Sequence, residues 1–77
     1  MDDREALRLN KELAQRIRQA VLADPSSPYA GKVVGIANGQ VVLVGDDRET
    51  TLRRVREIEP NVWRGCCFEP SRPPEYV

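Results

Sequence analysis

The sequence predicts an α+β fold: an N-terminal amphipathic helix, then a β-hairpin, a second helix and a third strand, with the three-stranded sheet in the order 2-1-3. Three observations carry this. Apolar residues recur at spacings of three and four through the first two dozen positions. Asn38-Gly39 separates two runs rich in β-branched residues, the pair best suited to a two-residue type I′ turn. A polar stretch opening on Asp46-Asp47 and closing before Pro60 then leads into a further run that ends on Phe68.

The first helix is expected over residues 3–23. Ala6, Leu9, Leu13, Ile17, Ala20 and Val21 form its apolar stripe. Asp2 or Asp3 can cap the start, where negative charge also suits the helix dipole. Glu12 and Arg16 stand four apart in the favourable order. Asp24-Pro25 ends the helix, because a residue before proline avoids helical dihedrals, and residues 25–30 form a linker. The hairpin occupies 31–45. The second helix is expected over 47–59, capped by Asp46 or Asp47, with Leu52, Val55 and Ile58 as a thin apolar stripe beside Thr51. Val62 to Phe68 reads as the third strand, closing a ββαβ domain over 31–68. If this strand runs parallel to strand two, the crossover through the second helix should be right-handed. Residues 69–77 hold three prolines and read as an extended tail.

Both faces of this sheet read as apolar. Val33 and Ile36 point to opposite sides of strand one; Val41 and Leu43 oppose Val42 and Val44 on strand two. The second helix covers one face. The other calls for the first helix, a second copy of the chain or another partner.

Composition narrows the chemistry. Seventy-seven residues form one domain at most, with a small core. Cys66 and Cys67 are adjacent, so a bridge between them would close almost no loop. On a strand they point to opposite faces and read as structural thiols. With no histidine and two cysteines, a structural zinc site lacks ligands. Basic and acidic residues balance at 12 each, which argues against a dedicated nucleic-acid binder. Arg48, Arg53, Arg54 and Arg56 crowd the second helix, but Asp46, Asp47, Glu49, Glu57 and Glu59 share the segment, so a solvated, ion-paired face is expected. No apolar run approaches the ~20 residues that cross a bilayer. Met1 is followed by two aspartates, unlike a secretory signal. A cytoplasmic location is expected.

Ala30-Gly31-Lys32 is not a phosphate loop: the leading glycine is missing, Val33 replaces the metal-binding hydroxyl residue, and a strand follows. Pro73-Pro74-Glu75-Tyr76 matches the Pro-Pro-x-Tyr form bound by WW domains, and a Pro-rich end with Tyr76 could lie across a partner. Trp63 is a partner anchor, a cap on the sheet edge, or a residue packed under the linker near Tyr29.

Tyr29, Gly31, Lys32, Val34, Gly39, Val41, Val42 and Gly45, followed by the segment Asp46 to Leu52, resemble a family of small prokaryotic domains of unknown function. The resemblance covers about a third of the chain and implies a compact ββαβ domain with no assigned activity. Gly45, Asp46 and Glu49 also resemble the helix start of HicB-type antitoxins, although the longer three-stranded opening of that fold is absent.

These readings predict a non-catalytic protein-interaction module or small subunit that self-associates as a homo-oligomer and needs no cofactor. Candidate partner-binding residues are Leu9, Leu13, Ile17, Trp63 and Tyr76. The alternative is an antitoxin-like regulator that contacts nucleic acid or a toxin partner.

Overall fold

A computed structural model describes residues 2–72 of the chain. The Pro-Pro-x-Tyr segment and Tyr76 lie outside the described residues. The elements are α1 (Asp3–Ala23), β1 (Val33–Ala37), β2 (Gln40–Gly45), α2 (Arg48–Ile58) and β3 (Gly65–Phe68). The sheet order is β2-β1-β3, and β1 is antiparallel to both neighbours. β2 and β3 are therefore parallel across the central strand, joined by α2.

Local chemistry sets the boundaries. The Asp2 carboxylate accepts from the Glu5 N–H at 2.8 Å to start α1, and Asp47 does the same for Thr50 at 2.8 Å to start α2. Asp24 turns the chain out of α1, its carboxylate accepting from the Ser26 N–H and hydroxyl. At the hairpin, Asn38 and Gly39 both hold positive φ, 53° and 79°, as a type I′ turn requires. On α1 the exposed ion pair is Arg8–Glu12, one turn earlier than the expected Glu12–Arg16.

The two helices cover opposite faces of the sheet. On one, Ile17 and Val21 of α1 pack with Val34 and Ile36 of β1, and Leu13, Ala14, Tyr29, Val41, Cys66 and Phe68 close around them. On the other, α2 sets Val55 and Thr51, both fully or almost fully buried, against glycines. A Cβ on Gly35 would stand 2.6 Å from Val55 Cγ2, one on Gly65 3.1 Å from Val55 Cγ1, and one on Gly45 2.2 Å from Thr51 Oγ1. The seat is made of backbone, so the helix sits close to the sheet. It also selects which residues face inward: Leu52 and Ile58, expected in the stripe, are exposed, and Thr51 takes the inner position.

Two further expectations are corrected. Val41 and Leu43 do not share a face. The β1–β2 register shifts between Gly35↔Leu43 and Ile36↔Val41, leaving Val42 as an extra residue in a β-bulge. Leu43 then lies on the α2 side with Gly35, and Val41 joins Ile36 on the α1 side. The third strand begins at Gly65, not Val62, because residues 62–64 form a turn. The chain also stays on the fold beyond β3: Pro70 is fully buried, and the Gly31 N–H donates to the Ser71 hydroxyl at 2.9 Å.

Candidate functional site

The apolar face of α1 belongs to the chain's own core. Ile17 is 7% exposed among Val34 and Ile36, and Leu13 packs half-buried against the same cluster. Leu9 lies over the hairpin turn, its Cβ 3.0 Å from the position a Gly39 Cβ would take. Asn10, which the sequence reading did not single out, fixes the docking. It is 3% exposed; its Nδ2 donates to the Arg64 carbonyl at 3.0 Å and its Oδ1 accepts from the Gly39 N–H at 2.7 Å. One side chain thus ties α1 to the hairpin and to the turn before β3.

That turn presents Trp63. Pro60 follows α2, and the Asn61 carbonyl oxygen of the side chain accepts from the Trp63 N–H at 2.9 Å, a turn typical of asparagine. The turn is pinned to the start of α1: the Asp3 carboxylate accepts from Arg64 Nε at 2.8 Å and from Asn61 Nδ2 at 3.2 Å. Trp63 is left 59% exposed and lines a shallow hollow with Asp3, Arg4 and Leu7. Arg4 and Leu7 continue into a second groove along α1, with Arg8, Lys11, Glu12 and Gln15. Three cations there face one carboxylate, Glu12, which is paired with Arg8. Arg4 and Lys11 have no ion-pair partner among the described residues.

The hydrogen bond from the Arg64 guanidinium outweighs the opposing effect of desolvation and, helped by the Asn61 amide and the Arg64 charge, holds the Asp3 carboxyl below its ordinary value. A depressed carboxylate stabilises the fold above its unfolded pKa, and that stabilisation is lost as pH falls through the folded one. The Trp63 turn should therefore be constant from pH 7 down to about 4, the ordinary carboxylate range, and loosen below it. The single tryptophan reports this: its emission should shift in acid, and Asp3→Asn should abolish that part of the transition. An unchanged acid transition in Asp3→Asn would show that Asp3 does not hold the turn.

The remaining candidates offer little chemistry. Cys66 pairs opposite Ile36 on the α1 side and Cys67 opposite Gly35 on the α2 side, and burial pushes both thiols above their ordinary value, the opposite of an activated nucleophile. Lys32 is held by Asp46, in a polar hollow with Glu69, Ser71 and Arg72. On α2, Arg53 pairs with Glu49, and Arg56 donates to the Gly65 carbonyl at 2.8 Å. Among the described residues no cluster of three or more His, Cys, Asp or Glu side chains could hold a metal, and no helix is long and apolar enough to cross a membrane.

No protein-family model matches the chain, and no curated protein or solved structure is detectably similar to it.

Proposed function

We propose that the protein is a non-catalytic protein-interaction module whose partner sits on Trp63 and Leu7. One observation carries this reading: a tryptophan 59% exposed, on a turn pinned at both sides by hydrogen bonds, beside an apolar residue and flanked by cations. Tryptophan is among the residue types most enriched at binding hot spots, and a backbone turn already fixed in place loses little conformational freedom on binding. Arg4, Arg8 and Lys11 add steering toward acidic residues on the partner. The stripe Leu9, Leu13 and Ile17 contributes by holding α1 in place.

Affinity capture from the source cells with the intact chain tests this. A stoichiometric protein partner is expected, and Trp63→Ser should weaken its binding by about 2 kcal/mol or more, the range of a hot-spot truncation. A partner retained undiminished by Trp63→Ser would exclude this surface.

A second reading, contact with nucleic acid, draws on the same cations, since single strands bind to basic grooves through stacking on aromatic rings. Glu12 and Asp3 in the same grooves oppose it. Oligonucleotide binding that falls steeply with salt and is lost in Trp63→Ser would favour this reading over a protein partner.

A further inference from the structure

We infer that β2 is a docking edge for a second copy of the chain, joining two three-stranded sheets into one antiparallel six-stranded sheet. Both β2 and β3 are edge strands, and an edge strand exposes backbone donors and acceptors that can template another strand. The two edges differ. β3 has four residues, and its first carbonyl, Gly65, is occupied by Arg56. β2 has six residues, Gln40-Val41-Val42-Leu43-Val44-Gly45, with no charge and no proline. Among the described residues no side chain hydrogen-bonds to its backbone from Gln40 to Gly45. Edges kept solitary carry lysine, proline or an inward charge; the device present here is the single bulge at Val42.

The strand is its own complement in charge and shape. An antiparallel pairing centred on Leu43 sets no charged residue opposite another. It places Val42 opposite Val44 of the second copy and Val44 opposite its Val42. Val44 pairs with Val34 on the α1 side of the sheet, and Val42 is the bulge residue two positions before it. Val44 is 43% exposed and Val42 half-buried, so four valines would meet across the seam, and β-branched cross-strand pairs stabilise such a seam. On the α2 side, Leu43 lines a groove with Asp46, Asp47, Thr50 and Arg54, and the second copy's Leu43 would enter beside it. This inference is independent of the Trp63 surface, which lies on the α1 start and the turn before β3.

Sedimentation equilibrium of the full chain from about 1 μM to 1 mM tests it. The expected result is a reversible monomer–dimer equilibrium that Trp63→Ser leaves unchanged. Val44→Lys should weaken it roughly tenfold or more, and Val44→Thr should retain it. Should Val44→Lys fail to fold, isotope-filtered NOEs on a mixture of labelled and unlabelled wild-type chains decide the matter: Val42 and Val44 methyls should show contacts between chains. A wild-type chain that stays monomeric to 1 mM would overturn the inference. So would masses that grow beyond two copies, a dimer insensitive to Val44→Lys, or no contacts between chains at these methyls.

Discussion

Replacing Asn10 by alanine is expected to destabilise the fold by about 3 kcal/mol, because it leaves the part-buried Gly39 N–H without a partner and removes one of the two donors to the Arg64 carbonyl. A donor left without a partner costs about 1–3 kcal/mol, which falls on the Gly39 N–H, and the lost bond to the Arg64 carbonyl, which keeps the Asn38 N–H, adds about 1 kcal/mol. For a domain of this size that loss corresponds to a fall in Tm of roughly 12–24 °C, a large share of the total stability expected for 77 residues. Thermal denaturation by circular dichroism measures it. Asn10→Asp should also be damaging, since a carboxylate cannot donate to the Arg64 carbonyl. A change below about 0.5 kcal/mol in Asn10→Ala, the range of an ordinary surface substitution, would show that α1 is not held by this side chain.

The second large effect is expected at the glycine seat of α2. In Gly35→Ala the new methyl would stand 2.6 Å from Val55 Cγ2 and 3.2 Å from Leu43 Cγ, with β1 buried along its whole length and little room to yield. Overpacking of this kind costs about 3 kcal/mol. Val55→Ala alone removes a fully buried side chain and costs about 2–3 kcal/mol. The two losses should not add. Deleting the Val55 methyls removes the tightest contact and leaves only the one with Leu43, so the double variant should lie close to Val55→Ala alone, a coupling of about 2 kcal/mol in chemical denaturation. Additive losses would mean that Gly35 and Val55 do not meet.

Much of the fold is readable from residues with strong local preferences. Asn38-Gly39 dictates a type I′ turn, Asp2 and Asp47 cap helices, and Asp24-Pro25 and Pro60 end them. The order 2-1-3 follows from one crossover helix and two apolar sheet faces. The errors arise where backbone geometry, not side-chain hydrophobicity, decides. Leu52 and Ile58 look like the inner face of α2, yet Gly35, Gly45 and Gly65 form a seat that accepts Val55 and Thr51. The bulge at Val42 reverses the face of Val41, and a run of valines carries no mark of it.

Asn10 was legible in principle. It lies in the stripe of Ala6, Leu13, Ile17 and Val21, where a polar residue interrupts an otherwise apolar face, and a buried amide in such a place needs partners. The position of Trp63 was not legible, because it depends on Asp3 pinning a turn 58 residues away through Asn61. The sequence alone also leaves open whether α1 covers its own sheet or another chain's.

The claim on which the rest depends is that α1 lies on its own sheet, so that Trp63 and the β2 edge remain for partners. Isotope-filtered NOE spectroscopy on an equimolar mixture of labelled and unlabelled chains measures this directly. Contacts between the Ile17 methyls and those of Val34 and Ile36 should appear only within a chain and be absent from the spectrum selecting contacts between chains. Strong Ile17–Val34 and Ile17–Ile36 contacts between chains would mean that α1 is exchanged between copies, and would contradict the account.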